Sequence, residues 1–188
     1  ALYLLPAAQS RDKSAVSPAD MVRVCEQLRG ECDFVLIDSP AGIELGFRNA
    51  VAAADEFILV TTPDTSSVQD VDRVVGILEA ENRGPTSLVI NRLRPELVKR
   101  KESLSPAQIL DTLAMNLLGI VPEAEDVIVS NGRGTPIAHD QTTLAGKAYQ
   151  NIARRILGEH VPFIPLLEGR KSLFERLGFG RRRQAERP

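Results

Sequence analysis

The chain contains five short apolar runs, which are separated by polar or amphipathic stretches. Continuous runs of Leu, Val and Ile are typical of strands that are covered on both faces, as in a parallel sheet. The runs are Leu2–Leu5, Phe34–Ile37, Phe57–Val60, Leu88–Ile90 and Leu117–Val121. We therefore predict a strand at each of these five positions.

The stretches between the runs carry recognisable helix starts. A serine can cap the first turn with its hydroxyl, and a polar side chain three residues later can return a hydrogen bond to the serine backbone. The pairs with this spacing are Ser17 with Asp20, Ser67 with Asp70, and Ser105 with Gln108. Proline follows the first and third serines, at the helical position that suits it. A last helix is predicted from about Thr143 to Leu157.

The alternation of these strands and helices predicts the fold class. Parallel strands joined by helices require right-handed crossovers and place helices on both faces of the sheet. The sequence therefore predicts an α/β fold with a mostly parallel sheet.

Composition narrows the classes of protein that fit this pattern. The 188 residues are 43% hydrophobic and 26% charged, which is typical of a globular domain with a substantial core. No apolar run approaches the roughly 20 residues of a membrane span. A formal net charge of −2 gives no general attraction to nucleic acid. Cys25 and Cys32 lack the second pair that a metal site needs, so we interpret them as thiols in a reducing cytoplasm.

The loop after the second predicted strand carries candidate chemistry. Parallel α/β proteins place ligands at the carboxyl ends of their strands, and Asp38 closes this strand. An aspartate there can hold a metal-bound water, while Gly42 lets the backbone approach a phosphate. A strand end capped by aspartate at a tight turn explains the same residues, so the loop alone leaves both interpretations open.

Several segments in one order resemble the MinD-type ATPases of the deviant Walker (ParA/MinD) group. Asp38–Glu44 is similar to the switch II loop of that family. The other matching segments are Leu4–Lys13, Ala54–Glu56, Thr61–Pro63, Ser66–Arg73, Gly119–Glu123 and Ala145–Tyr149. Because the segments follow the family's order, the chain is identified as a member. The resemblance implies a P-loop NTPase-like fold whose N-terminal strand and phosphate-binding loop are missing here.

The resemblance also implies roles for individual residues. Asp38 would organise Mg²⁺ through a water, and Gly42 would lie near the γ-phosphate of ATP. Asn91-Arg92 and Pro122-Glu123 resemble the segments that form the pocket for the adenine base.

Partner binding is implied for one helix. Asp70 and Asp72 lie on the segment that resembles the binding surface for the partner proteins MinC and MinE. A solvated helix start explains both aspartates equally well.

The phosphate-binding motif G-x-x-x-x-G-K-[ST] does not occur among the 188 residues. Gly146-Lys147 is the only Gly-Lys pair, but Gln141 stands at the first glycine and Ala148 at the hydroxyl position. We interpret that glycine as a tight helix-packing contact. The chain begins at Ala1, and the resemblance implies that roughly 80–90 family residues, including this motif, precede it. We expect residues 1–188 alone to bind neither ATP nor Mg²⁺ and to be catalytically inactive.

The C-terminal segment is basic and amphipathic. Residues 169–188 contain seven basic and two acidic side chains. On a helical wheel Leu173, Phe174 and Leu177 share one face, whereas Lys171 and Arg176 lie away from it. The segment resembles the family's membrane-targeting helix, with Phe179 as a further apolar contact; a disordered basic tail is the alternative. One such helix binds anionic lipid weakly, and two on a dimer bind more tightly.

These expectations assign domains and a function. We expect residues 1–158 to be the C-terminal portion of the ATPase domain, 159–169 a linker, 170–180 the membrane helix and 181–188 a basic tail. The intact parent would be an ATP-dependent homodimer that recruits MinC and MinE and regulates division-septum placement. It would lie in the bacterial cytoplasm, on the inner face of the membrane, without specific nucleic acid. A ParA-like or other MinD-like positioning ATPase and a non-catalytic membrane adaptor remain alternatives.

Overall fold

The structure is a computed structural model that describes residues 2–6 and 16–167. The helices are α1 (Pro18–Leu28), α2 (Leu45–Ala53), α3 (Thr65–Ala80), α4 (Pro95–Lys99), α5 (Pro106–Leu113), α6 (Glu125–Gly132) and α7 (Leu144–Ile156). The strands β1 (Phe57–Thr61), β2 (Thr86–Leu93) and β3 (Asn116–Pro122) form one sheet in the order β1-β2-β3. A 3₁₀ turn, Ile137–His139, precedes α7. The predicted α/β class with a parallel sheet is confirmed.

The chain divides into two compact units, and the first comprises residues 1–59 and 69–87. In its described part α1 packs against α2. The buried side chain of Asn49 on α2 donates from Nδ2 to the backbone oxygen of Val16, at 2.8 Å. Two hydrogen bonds of 3.2 Å join the guanidinium of Arg29 to both carboxylate oxygens of Asp55. These polar contacts fix the start and the end of α1.

The second unit comprises residues 60–68 and 88–188. Its core forms where α7 packs on β3. The buried cluster consists of Val89, Val121, Ile137, Ala145, Ala148 and Ile152. Gly119 on β3 leaves room for Ile152, because a Cβ at residue 119 would overlap the Ile152 side chain. The remaining fully buried side chains of this unit, Leu88, Ile90, Leu93 and Ile109, extend the core along β2 and α5.

Two of the five predicted strands are absent from the structure. Leu2–Leu5 and Phe34–Ile37 have no regular secondary structure, and Leu2 and Leu36 are 98% and 82% exposed. A strand is stabilised by ladder hydrogen bonds to a neighbour and by cover on its faces. In the described residues neither segment has such a neighbour, so the apolar pattern alone does not produce a strand. The other three predictions are confirmed to within a few residues.

The helix starts agree with the local sequence in three of four cases. Ser17 with Asp20 and Ser105 with Gln108 form complete capping boxes. Thr143 caps α7, which ends at Ile156, so the last helix is also confirmed. The predicted start at Ser67 is wrong, because α3 begins at Thr65 and the backbone N–H of Ser67 donates to Asp64 Oδ1 at 2.9 Å.

Arg155 holds the segment that follows α7 close to β3. Its guanidinium donates to the backbone oxygens of Leu118 on β3, at 2.8 Å, and of Val161 and Pro162, at 3.0 and 3.1 Å. It also lies over the ring of Phe163, 4.1 Å from the centroid. Ile164, within the predicted linker, packs against the core cluster. The linker and domain boundaries themselves stay predictions.

Candidate functional site

The carboxyl ends of β2 and β3 meet in the second unit. Leu93, fully buried at the end of β2, accepts a hydrogen bond from the backbone N–H of Glu123, at 3.0 Å. Glu123 directly follows Pro122, the last residue of β3. The structure therefore brings together Asn91-Arg92 and Pro122-Glu123, the two segments predicted to form one pocket.

Arg92 interrupts the extended backbone of β2. Its φ is +56°, in the left-handed region that residues other than glycine seldom adopt. The Asn91 side chain supports this conformation, since its Oδ1 accepts a hydrogen bond from the backbone N–H of Arg92, at 2.9 Å. Strained backbone of this kind clusters at functional sites. The two adjacent residues thus act together, with Asn91 holding the backbone that carries the Arg92 side chain.

The carboxylate of Glu123 lies between two guanidinium groups. Arg92 donates to Oε1 from Nη2, at 2.8 Å, and from Nε, at 3.2 Å. Arg94 forms an ion pair with the other oxygen, Oε2, through its Nε. These contacts, led by the hydrogen bond from Arg92, lower the pKa of Glu123 below its ordinary value. Glu123 is therefore ionised near neutral pH and fixed at both oxygens.

A cleft of about 980 Å³ opens beside this cluster. Its walls come from the loop after β1, the end of β2, α4 and the loop before α5. The lining residues are Thr62–Thr65, Arg92, Arg94, Leu97, Val98, Lys101–Ser105, Gln108 and Glu123. Because the loops after β1, β2 and β3 all contribute, the cleft lies at the end of the sheet where α/β proteins bind ligands.

Asp64 organises the wall that follows β1. Its carboxylate accepts hydrogen bonds from the hydroxyls of Thr62 and Ser66 and from the backbone of Ser67. These bonds, led by that from Thr62, hold the pKa of Asp64 well below its ordinary value. Asp64 is not among the site residues that the sequence predicts, although an aspartate three residues before Ser67 is itself a capping signal.

The Asp38–Glu44 segment belongs to the first unit. Asp38 is exposed and has no regular secondary structure. Gly42 has a φ of +94°, and a Cβ there would meet nothing within 4 Å. Conformation, not crowding, therefore favours glycine at residue 42. Gly46 differs, because a Cβ at that position would lie 2.5 Å from Cγ of Pro40.

The remaining predicted residues fall into two groups. Asp70 and Asp72 are exposed on α3. Asp70 forms an ion pair with Arg73, in which Oδ1 of Asp70 lies 3.7 Å from Nη1 of Arg73. The predicted membrane contacts, namely Lys171, Leu173, Phe174, Arg176, Leu177 and Phe179, lie outside the described residues. Among the residues that the structure describes, no helix has the length and apolar character of a membrane span, and no three His, Cys, Asp or Glu side chains form a metal cluster.

Arg94 is a second residue of this site that the sequence does not predict. It stands beside Pro95, at the start of α4, where its side chain resembles an ordinary surface arginine in the sequence. Only the approach of β3 to β2 shows that Arg94 and Glu123 are partners. One residue, Leu93 at the end of β2, separates Arg92 from Arg94.

Comparisons with curated proteins identify close relatives. The chain is 48% identical to the septum site-determining protein MinD of Synechocystis sp. over 177 residues, and 47% identical to that of Bacillus subtilis over the same length. Each alignment covers 94% of this chain and 66% of the relative. The chain thus spans just under two thirds of the length of the curated relatives it matches. No protein-family model matches the chain.

Several solved structures of similar fold are also MinD proteins. The MinD cell division protein of Aquifex aeolicus superposes with a TM-score of 0.76 at 36% identity, covering 79% of this chain and 64% of that one. A MinC:MinD complex from the same organism gives 0.75 at 38% identity, covering 78% and 62%. MinD of Pyrococcus horikoshii, complexed with Mg-ADP, gives 0.66 at 26% identity, covering 74% and 56%. The chain belongs to the MinD family of septum site-determining proteins.

Proposed function

We propose that this chain forms part of a MinD-type ATPase that regulates division-septum placement through ATP-dependent dimerisation, membrane binding and recruitment of MinC and MinE. The observation that carries the proposal is the ion pair between Arg92 and Glu123. It joins the two segments that the resemblance assigns to the base pocket, at the ligand-binding end of the sheet. The relative solved with Mg-ADP supports the same class of ligand.

The residues present suit a magnesium nucleotide. Mg²⁺ keeps several of its waters and takes phosphate oxygens as further ligands, so one carboxylate such as Asp38 is a sufficient protein anchor. The exposed position of Asp38 and the free space beside Gly42 are compatible with a water-bridged ion next to a phosphate. Asn91, Arg92, Pro122 and Glu123 would hold the base. We propose that a magnesium nucleotide is the cofactor of the intact protein.

Calorimetric titration with MgADP tests the nucleotide proposal. The protein should be the gene product that contains residues 1–188, expressed from its own start codon. We expect MgADP to bind and Arg92→Gln to weaken binding by about tenfold, because a charged hydrogen-bonding group is lost. Arg73→Gln is the matched control: Arg73 and Arg92 are 68% and 66% exposed, and each is paired with an acidic side chain. Equal affinity for all three proteins would overturn the assignment.

MinC recruitment is proposed for the exposed face of α3. The support is the complex of MinC with a MinD that is 38% identical to this chain, together with the exposure of Asp70 and Asp72. We expect Asp72→Lys to weaken binding to MinC from the same organism in a pull-down with MgATP. Glu79→Lys reverses one charge on the same helix and should leave binding unchanged. If both substitutions have the same effect, bulk charge rather than this surface governs recruitment.

Membrane binding is proposed for residues 170–180, and with it a peripheral location on the inner face of the cell membrane. Burying Leu173, Phe174 and Leu177 would contribute about 1.5–3 kcal/mol each before the cost of ordering the helix. Co-sedimentation with vesicles of phosphatidylglycerol tests this. We expect Leu173→Glu to abolish pelleting, whereas Ser172→Glu, which adds the same charge outside the apolar face, should retain most of it. Equal pelleting of the two variants would contradict an inserted helix.

A further inference from the structure

The two oxygens of the Glu123 carboxylate have different partners. Arg92 occupies Oε1, and Arg94 occupies Oε2. With Arg92 alone, the carboxylate could rotate about its last side-chain bond and still keep one hydrogen bond. With both arginines in place, the plane of the carboxylate is fixed, because each guanidinium restrains one edge.

The backbone at the end of β2 is arranged to make this double contact. The backbone of Arg92 has a left-handed conformation, which changes the direction of the chain between Asn91 and Leu93. Leu93 is fully buried and accepts the backbone N–H of Glu123, at 3.0 Å. A strained residue persists only where its surroundings determine it. Here the surroundings are the Asn91 side chain on one side of Arg92 and this interstrand hydrogen bond on the other.

We propose that Arg94 is a positioning residue of the nucleotide site, which holds the Glu123 carboxylate and, through it, the Arg92 guanidinium in one orientation. The inference rests on the proposed function and adds a residue that the family resemblance did not supply. Arg94 acts on the ligand through Glu123. Without Arg94, Glu123 and Arg92 remain paired, but the pair samples several orientations and binds the nucleotide less tightly.

Charge alone does not account for the cluster. Three basic residues line the cleft, Arg92, Arg94 and Lys101, and three acidic ones do so as well, Asp64, Glu102 and Glu123. Their formal charges cancel, so general attraction of an anion is weak. Each guanidinium has five N–H donors, and both arginines remain more than half exposed beside the cleft. Oriented donors, more than net charge, therefore suit this cleft to an acceptor-rich ligand such as a nucleoside diphosphate.

A double-mutant cycle on MgADP affinity distinguishes positioning from direct contact. The proteins are the full gene product and its Arg94→Gln, Glu123→Gln and doubly substituted forms. We expect Arg94→Gln to weaken MgADP binding by about fivefold, the scale of one ordinary hydrogen bond or one exposed ion pair. If Arg94 acts through Glu123, Arg94→Gln should have no further effect in the Glu123→Gln background.

The control is Arg154→Gln, which also removes one arm of an exposed arginine–glutamate pair, with Glu159 at 2.7 Å. It should leave MgADP affinity unchanged, and the unfolding temperatures of Arg94→Gln and Arg154→Gln should agree. Two results would overturn the assignment of Arg94 alone. In the first, the fold-losses of MgADP affinity caused by Arg94→Gln and Glu123→Gln multiply in the double variant. In the second, Arg94→Gln binds MgADP as tightly as the unsubstituted protein. Failure of the unsubstituted protein to bind MgADP would overturn the proposed function as well.

Discussion

At the residue scale, Gly146 has a structural role that its sequence context conceals. It lies inside α7, where glycine is ordinarily replaced by alanine with a gain in stability. A Cβ at residue 146 would overlap the backbone oxygen of Asp140 and lie 2.7 Å from that of Ile137. The interpretation of the Gly146-Lys147 pair as a packing contact is therefore confirmed. Neither oxygen is on a flexible side chain, so the neighbours cannot move away cheaply.

Gly146→Ala should therefore destabilise the protein. We expect a loss of about 1–3 kcal/mol in the free energy of unfolding, the usual range for overpacking. Gly76→Ala is the control: Gly76 lies inside α3 with nothing within 4 Å of an added Cβ, so stability should rise by up to about 1 kcal/mol. Urea unfolding followed by circular dichroism measures both. A stabilised Gly146→Ala protein would show that the helix can shift at this point.

The second prediction for a single residue concerns the contribution of Arg155 to stability. Its contacts to the backbone oxygens of Leu118, Val161 and Pro162 have no substitute in an alanine variant. We expect Arg155→Ala to lower the free energy of unfolding by about 2 kcal/mol, because the partly buried carbonyl groups of Leu118 and Val161 lose their donor. In the part of the chain that the structure describes, the neighbouring Arg154 pairs with the exposed Glu159, so Arg154→Ala should cost about 0–1 kcal/mol. Equal losses for the two variants would exclude the inferred role of Arg155.

Single residues of the site were predictable where they belong to a contiguous motif. Asn91, Arg92 and Glu123 stand in segments that resemble the family, and the structure places them together. Arg94 was not predictable, since nothing near it in the sequence distinguishes it from other arginines. Its partner, Glu123, is brought to it only by the pairing of β3 with β2, which is information that local sequence does not contain.

At the scale of elements, the capping box of α1 makes stability depend on pH. Hydrogen bonds from the Ser17 side chain and backbone, followed by the contact with Arg23, lower the pKa of Asp20 from 3.8 to about 2. A carboxyl group whose pKa is lower in the folded state stabilises it above the unfolded pKa. That contribution is lost as the pH falls from 3.8 towards 2.

We therefore expect the protection of α1 amides to decrease with acidification between about pH 5 and pH 2. Hydrogen exchange followed by NMR, corrected for the intrinsic rates, measures this. Asp20→Asn should begin with lower protection at pH 5 and lose less of it. Parallel pH profiles for the two proteins would contradict a stabilising role for the ionised Asp20.

Elements with local signals were the ones that the sequence predicted well. The helix caps were predictable because each capping contact spans only three residues, as at Ser17, Ser105 and Thr143. Strands depend on partners elsewhere, which explains why Leu2–Leu5 and Phe34–Ile37 had the composition of strands without forming them. The spacing of Ser67 and Asp70 predicts a start for α3 that is two residues late, because the carboxylate of Asp64 accepts the N-terminal hydrogen bond instead.

At the scale of the whole molecule, the comparisons establish the family, and the described residues show the geometry of one cleft. Identity of 47–48% over 94% of the chain establishes the family, but the chain spans only 66% of those relatives. The dimer, the membrane association and the partners therefore remain proposals for the whole protein. What the described residues contribute is a cleft at the end of the sheet, with a glutamate fixed between two arginines.

We propose that this cleft receives the base of a nucleotide. The direct measurement is photo-crosslinking of the gene product with 8-azido-ADP and Mg²⁺, with the modified peptide identified by mass spectrometry. We expect adducts within residues 91–94 or 122–124, suppressed by excess MgADP and reduced by Arg94→Gln. Competable adducts found only outside these two segments would contradict it.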